Sequence, residues 1–305
     1  MTMKVKVLSL TEDTIRFLVD GIDIAFANAL RRTIMSEVPC MVIDDLFIFD
    51  NSSVVADEIL AKRIGFVPLT TDLSKYSLPE DCDCNSELGC AKCRVVLALD
   101  VEAKDEIVTV HSGDFVSDDP DIVPVSPGIP LTKLASGQAV KLEAYARLGI
   151  GMTHAKWQPV SESVYQHLGE LTIDKRCDAC GKCAESCPTN VLEIKDGKLE
   201  VVDIYNCILC EECVKACPME PSAITLALTP KAFIFTVEST GCMSPDTLVN
   251  EAVKILLKKL ETFSKKIEKD DVHDEIASFN VEQEQGRRLY SVGGDVDEDE
   301  EDIEE

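Results

Sequence analysis

Two copies of the spacing C-x2-C-x2-C-x3-C-P, with first cysteines thirty residues apart, sit inside this chain of 305 residues. The first copy, CDACGKCAESCPTN, carries Cys177, Cys180, Cys183 and Cys187, followed by Pro188. The second, CILCEECVKACPME, carries Cys207, Cys210, Cys213 and Cys217, followed by Pro218. Two-residue gaps let a tight loop turn three thiolates toward one inorganic cluster, and the fourth ligand must then come from farther along the chain. The similarity extends beyond the cysteines, since LTIDKRC before the first copy is echoed by VVDIYNC before the second. Between them Asp196-Gly197, flanked by VLEI and LEVV, is a strong hairpin signal.

The two motifs resemble those of bacterial two-cluster ferredoxins. In such ferredoxins the fourth cysteine of each motif serves the other cluster. The resemblance therefore implies two [4Fe-4S] clusters, one held by Cys177, Cys180, Cys183 and Cys217, the other by Cys207, Cys210, Cys213 and Cys187. Ala179, Gly181 and Ala184 are small and leave room for backbone N–H groups near the sulfurs. Ligands that cross over tie the two halves together, which matters in a module too small to rely on a core alone.

Twelve of the fourteen cysteines fall in metal-ligand spacings. The N-terminal MTMKVKVLSL lacks a basic segment followed by a long apolar one, and apolar runs are too short to cross a bilayer. The expected setting is cytoplasmic, so metal binding is favoured over a disulfide framework. The third group is CDCNSELGCAKC, with Cys82, Cys84, Cys90 and Cys93. Four thiolates without histidine suit a closed structural zinc site; an empty or oxidised loop is the other reading. The two remaining cysteines, Cys40 and Cys242, are isolated in sequence and read as small buried apolar residues.

The formal net charge of −26 argues against direct DNA contact, since phosphate binding needs clustered Lys and Arg. Nine of the eleven residues from Asp295 to Glu305 are acidic, a composition expected of a disordered tail. His111, His154, His167 and His273 are scattered, and Asp44 and Asp45, adjacent on a strand, should point to opposite faces. Gly149-Ile150-Gly151 is too short for a phosphate loop. No catalytic centre is legible.

Residues 3–9 and 13–19 read as a hairpin, 22–37 as a helix with Phe26, Leu30 and Ile34 on one face, 42–49 as a strand and 57–65 as a short helix. Strands are expected at 95–101, 107–110, 141–150 and 231–239, with loop at 117–130. A helix over 245–267, opened by Ser244 and Pro245, carries Val249, Ala252, Val253, Leu256, Leu260, Phe263 and Ile267 at helical spacing. Leu248, Ile255 and Leu257 widen that stripe beyond what one sheet would cover, which points to a partner-binding face.

Four stretches resemble the α-like assembly subunits of RNA polymerase, and specifically their archaeal branch: FANALRRTIMSEVPCMVID (26–44), DEILAKRIGFVPL (57–69), LGIGMTHAKWQPV (148–160) and FTVESTGCMSPDTLVNEAVKILLKKL (235–260). The resemblance implies an α+β fold. Residues 1–40 and 229–275 would form a discontinuous dimerisation domain, 41–168 an inserted mainly-β domain with the Cys-rich loop 82–93, and 169–228 an inserted ferredoxin-like domain. Residues 276–305 would be a tail. The implied function is non-catalytic: pairing with the small subunit L, then assembly with small subunits N and P and the large catalytic subunits of the nucleotidyltransferase. Phe26, Leu30, Arg31, Arg32, Ile34, Leu256, Leu260 and Phe263 would make partner contacts. The clusters would be structural and a possible redox input to assembly. The competing reading from the same cysteines is a ferredoxin-type electron-transfer subunit of an oxidoreductase, although no flavin or nicotinamide motif accompanies them.

Overall fold

The computed structural model describes residues 3–84, 86 and 89–268. In chain order the elements are β1 (Lys4–Leu10), β2 (Thr14–Asp20), α1 (Ile24–Ser36), β3 (Cys40–Asn51), α2 (Asp57–Ile64), β4 (Arg94–Glu102), β5 (Val108–His111), β6 (Val116–Ser117), β7 (Pro130–Leu134), β8 (Ala139–Gly149) and β9 (Val160–Ile173). There follow α3 (Lys182–Glu185), β10 (Leu192–Lys195), β11 (Lys198–Val201), α4 (Glu212–Lys215), β12 (Ile224–Ser239) and α5 (Pro245–Glu268). The content is mixed α and β, mostly sheet. Residues 1–255 make one compact unit and α5 runs on from it into a second that begins at Leu256. The acidic stretch 295–305 lies outside the described residues, as do residues 269–294.

One sheet is built from both chain ends, in the order β1-β2-β12-β9, antiparallel throughout. Its inner face alternates as a half-buried strand should: Ile15, Phe17 and Val19 on β2, and Phe233, Phe235 and Val237 on β12, are all buried. Phe17 stacks on Phe235 with centroids 5.0 Å apart and planes 4° from parallel, and Tyr165 of β9 tilts against Phe235 at 5.7 Å. Helix α1 crosses β9, where the Ser163 hydroxyl donates to the Arg31 carbonyl.

Helix α1 begins at Ile24, two residues later than its apolar pattern suggests. Asp23 is the N-cap, its carboxylate accepting from the Phe26 N–H at 2.7 Å. The face turned inward is Ala27, Leu30, Thr33 and Ile34. This corrects the partner-contact reading of Leu30 and Ile34, which are only 4% and 0% exposed and belong to the chain's own core. Phe26 stays 39% exposed. Arg31 folds back along its helix, donating to Asn28 Oδ1 and Met35 Sδ, while Arg32 is exposed.

Strand β12 begins well before the expected 231–239 and strand β9 was not anticipated; β9 crosses the boundary drawn at 168 and β12 the one at 229. They pair from Ile224↔Ile173 to Ser239↔Val160, with register shifts between Leu228 and Phe233 and between Glu238 and Ser239. Pro230 lacks an N–H and falls within the first of these irregularities, so the strand passes the proline without ending there. Residues 160–168, expected in the middle domain, therefore lie in the sheet of the chain ends.

The middle of the chain forms a second sheet, β3-β8-β4-β6, and the pair β5-β7. Strand β7 falls just past the expected loop 117–130 and was not anticipated. Its Pro130 sits at the first position, where no ladder donor is needed. The core here includes Met41, Ile43, Leu60, Ile64, Leu97 and Leu142. The Gly-Ile-Gly segment has a packing role. A Cβ on Gly149 would lie 2.4–2.7 Å from the Trp157 ring, and one on Gly151 would lie 2.5 Å from the Met35 carbonyl at the end of α1. Gly149→Ala should therefore cost about 1–3 kcal/mol through overpacking, read as a lower midpoint in denaturant unfolding.

The Asp-rich loop after β6 is anchored by Asp119, whose carboxylate accepts from the Tyr76 hydroxyl and pairs with Lys75 at 2.5 Å. The Lys75 ammonium, then the Tyr76 hydroxyl, draw the Asp119 carboxyl down to about 2. Its folded pKa lies below the unfolded value of about 3.9. The stabilisation is thus complete above about pH 4 and is lost as pH falls through about 2. Asp119→Asn should flatten the stability–pH curve in that window relative to the wild type, measured by denaturant titration at each pH.

Candidate metal centres

Between α2 and β4 the chain makes the excursion that carries Cys82, Cys84, Cys90 and Cys93. All four sulfurs lie within 4.8 Å of one another, so the group could hold a metal ion. Cys82 and Cys90 are 3.7 Å apart, Cys84 and Cys93 3.8 Å, and Cys90 and Cys93 3.9 Å. The Cys90 N–H donates to Cys93 Sγ at 3.1 Å, and the Lys92 N–H to Cys90 Sγ at 3.4 Å. That Lys92 donor lowers the Cys90 thiol to about 7, whereas burial pushes Cys93 up to about 12. Cys93 precedes β4 directly, and Arg94, first residue of that strand, stacks over the Tyr145 ring at 4.7 Å. The Cys-rich loop is in this way fastened to the middle sheet.

The two ferredoxin-type motifs follow the same path. In each, the residues on either side of the second cysteine are left-handed: Ala179 (φ 55°) and Gly181 (φ 85°) in the first copy, Leu209 (φ 58°) and Glu211 (φ 61°) in the second. The second copy reaches this conformation with Leu and Glu, so the small size of Ala179 and Gly181 is not what the loop requires; the sign of φ is. For non-glycine residues this costs roughly 1–2 kcal/mol each, which something in the folded loop must offset. Cys183 and Cys213, the third cysteines of their motifs, lie on the helical turns α3 and α4 and are buried. Together with Leu192, Leu199 and Ile224 they make up a small core. The expected hairpin is present: β10 pairs with β11, and Asp196 (φ 50°) and Gly197 (φ 74°) both take the positive φ of a type I′ turn.

Cys187 of the first copy acts electrostatically on Cys213 of the second. Burial raises the Cys213 thiol pKa, and the charges of Cys207, Cys187 and Cys210 raise it further. Cys187 comes from the first motif. Cys183 is raised by burial and, more weakly, by Cys177 and Cys180. The fourth cysteines differ from the third, because backbone amides stabilise their thiolates. Val191 N–H donates to Cys187 at 3.3 Å and Ala223 N–H to Cys217 at 3.4 Å. Burial alone would raise Cys187, but the Val191 and Thr189 amides outweigh it, and the Met219 and Ala223 amides lower Cys217.

This region is joined to the sheet of the chain ends by polar contacts as well as by strands. Arg16 on β2 donates to Asn206 Oδ1 at 2.9 Å and to the Tyr205 carbonyl at 3.0 Å, and Gln166 on β9 donates to the Cys207 carbonyl at 3.2 Å. At Gly169 a Cβ would meet Leu209 at 3.0 Å and Cys207 Sγ at 3.6 Å.

Asp44 and Asp45 do not act together. The register shift between Ile43 and Asp45 turns Asp44 toward Lys156 and Arg147, with which it is ion-paired. Burial works to raise the Asp44 pKa; the two cations outweigh it and hold the carboxyl below the usual range. Sequence reading did miss one association: Cys40 and Cys242, isolated along the chain, share one buried cluster with Val42 and Trp157.

A sheet shared by both chain ends, followed by a long amphipathic helix, is the framework of an RNA polymerase dimerisation domain. The model of the family described as RNA polymerase Rpb3/Rpb11 dimerisation domain matches residues 16–260, and the chain belongs to that family. Within it, the chain is similar to archaeal subunits named DNA-directed RNA polymerase subunit Rpo3. That of Archaeoglobus fulgidus is 39% identical over 268 residues, covering 88% of this chain and 99% of the relative. That of Methanosarcina acetivorans is 36% identical over 263 residues (86% and 97%), and that of Pyrococcus horikoshii 35% over 269 residues (88% and 98%).

Proposed function

We propose that this chain is a non-catalytic assembly subunit of a DNA-directed RNA polymerase, which pairs with the small subunit L and then recruits subunits N and P and the large catalytic subunits. The observation that carries the reading is the pairing of β2 with β12, which makes one surface out of two chain ends in a protein related to Rpo3 subunits along most of its length. The second half of α5 supplies the partner face: Leu257, Leu260, Phe263 and Ile267 are each more than half exposed, on one side of a helix. Leu256 is half-buried, and Phe26, Arg31 and Arg32 on α1 remain candidate contacts. The setting is cytoplasmic on this reading, and no described helix is long and apolar enough to cross a membrane.

The domain organisation proposed is a platform from both chain ends, a mainly-β middle with the Cys-rich loop, and a ferredoxin-like segment between β9 and β12. Zinc is the metal proposed for Cys82, Cys84, Cys90 and Cys93. A tetrahedral Zn–S distance of about 2.3 Å places sulfurs about 3.8 Å apart, and the separations of 3.7, 3.8 and 3.9 Å match it. Two [4Fe-4S] clusters are proposed for the eight remaining motif cysteines, the electrostatic influence of Cys187 on Cys213 supporting crossed ligand sets. Bound there, such clusters supply cross-links and an oxidisable centre. This chain's own residues hold the sulfurs, donate amides to Cys187 and Cys217, and tie the cluster loop to β2 through Arg16. An electron-transfer subunit is not favoured, because the family match covers residues on both sides of the motifs.

Mixing the purified chain with subunit L tests the pairing. A 1:1 complex by light scattering is expected. Leu260→Arg with Phe263→Glu should leave the chain folded and weaken the complex by at least about 100-fold, as expected for interface anchors. A chain that remains alone at micromolar concentration contradicts the reading.

A further inference from the structure

Cys40 opens β3, immediately after the link from α1, and Cys242 lies in the short link between β12 and α5. They are 202 residues apart in sequence and only 2% and 5% exposed. The Cys40 thiol donates to the Trp157 carbonyl at 3.2 Å and the Cys242 thiol to the Pro159 carbonyl at 3.5 Å, so both point to the same short segment before β9. Thr71 fixes their backbones side by side: its hydroxyl accepts from the Met41 N–H at 2.9 Å, and its own N–H donates to the Cys242 carbonyl at 2.9 Å. A third observation is a cavity of about 310 Å³ whose walls include both cysteines along with Phe66, Leu69, Lys156 and Thr240. Neither thiol belongs to the three metal-type groups, and nothing in the proposed assembly function uses them.

We infer that Cys40 and Cys242 form an oxidisable pair that closes to a disulfide when a low-molecular-weight disulfide enters this cavity, locking the α1–β3 link to the β12–α5 link. In the first step the Cys242 thiolate attacks one sulfur of the small disulfide, forming a mixed disulfide and releasing one small thiol. In the second step Cys40, giving up its proton, attacks the Cys242 sulfur and releases the second small thiol. The two protein thiols are oxidised by two electrons, and the small disulfide is reduced to two thiols. Cys242 is suited to the first step because the hydrogen bond from Cys40, helped by Thr240, outweighs the opposing effect of burial and favours its ionised form. The bond would close a covalent loop around the middle sheet and the cluster-bearing segment. It would hold the two chain ends together when oxidising conditions strip metal from the rest, whereas a reducing cytoplasm keeps the pair as thiols. Closing a loop this long restricts the unfolded chain strongly.

The test treats the full, metal-loaded chain under anaerobic conditions with 2-hydroxyethyl disulfide, removes the reagent, denatures the chain in the presence of an alkylating agent that caps free thiols, and maps the peptides by mass. The expected result is a peptide joining Cys40 to Cys242, two hydrogens lighter than the sum of its parts, in most molecules, with a higher unfolding temperature than the untreated chain. Cys242→Ala should lose both signals; if that variant does not fold, the mapping of the wild type still decides. Recovery of both residues as alkylated thiols overturns the proposal, as does a stable hydroxyethyl adduct on either, or pairing of either with a cysteine of the metal groups. A joined peptide with no rise in unfolding temperature overturns the locking role. None of these outcomes depends on whether the chain pairs with subunit L.

Discussion

The double variant Cys183→Ser, Cys213→Ser should lose nearly all of its iron, and the segment between β9 and β12 should open to proteases. Cys183 and Cys213 are the two most enclosed of the eight motif cysteines, and they are two of the five buried residues that make up the local core. Leu192, Leu199 and Ile224 alone cannot bury enough surface to order some fifty residues, given a backbone cost of roughly 1–2 kcal/mol per residue. In so small a unit metal binding and folding are one equilibrium. Serine is nearly isosteric but is a poor ligand for iron, so the substitution removes the ligand with little change in shape. The expected readings are a fall from about eight iron atoms per chain to near zero, and new cleavage sites confined to residues 174–223. Strands β9 and β12 should remain paired beyond that region, because Phe233, Phe235 and Val237 are anchored in the sheet of the chain ends. A double variant that retains its iron contradicts the ligand assignment.

Phe235→Ala should disable partner binding from a position no partner can touch. The Phe235 side chain is fully enclosed, stacked on Phe17 and tilted against Tyr165, so it joins β2, β12 and β9 at one point. Truncating a buried Phe costs about 3–5 kcal/mol, a large share of the 5–15 kcal/mol that holds a typical domain together. The affected strands come from the N-terminal hairpin, the chain's middle and its C-terminal third. Loss here should loosen the base of α1, which packs on β9. The expected result is a denaturation midpoint lowered by that free energy, together with poor recovery of the complex with subunit L. A variant of unchanged stability would mean that the chain ends do not depend on this shared sheet.

The grouping of Cys82, Cys84, Cys90 and Cys93 was legible in sequence because ligand spacing is local: a short gap between cysteines means the same thing wherever the loop sits. The hairpin at Asp196-Gly197 was legible for a similar reason, since the turn type demands those residues. Position along the chain was a poorer guide to partnership. Leu30 and Ile34 lie on an apolar stripe, but a stripe does not state whether the chain or a partner will cover it, and here β9 lies beneath. The boundaries at 168 and 229 were drawn where the motif pattern ends, whereas the strands continue through them because ladder pairing extends as long as both strands find partners. Cys40 and Cys242 looked isolated for the same reason: their proximity arises from two links brought together by sheets whose pairing spans most of the chain. The role of Gly149 was equally hidden, because it is set by the Trp157 ring that packs onto it.

The central claim is that both chain ends make one platform for transcription-enzyme assembly, and that the iron-bearing segment between them supports this platform without turnover. Affinity purification of the tagged full chain from the cells that make it, with every co-purifying chain identified and quantified, tests this most directly. The account predicts equal amounts of subunit L and of the large catalytic polymerase subunits. Recovery of the chain alone, or with a flavin- or nicotinamide-dependent dehydrogenase in their place, would contradict it.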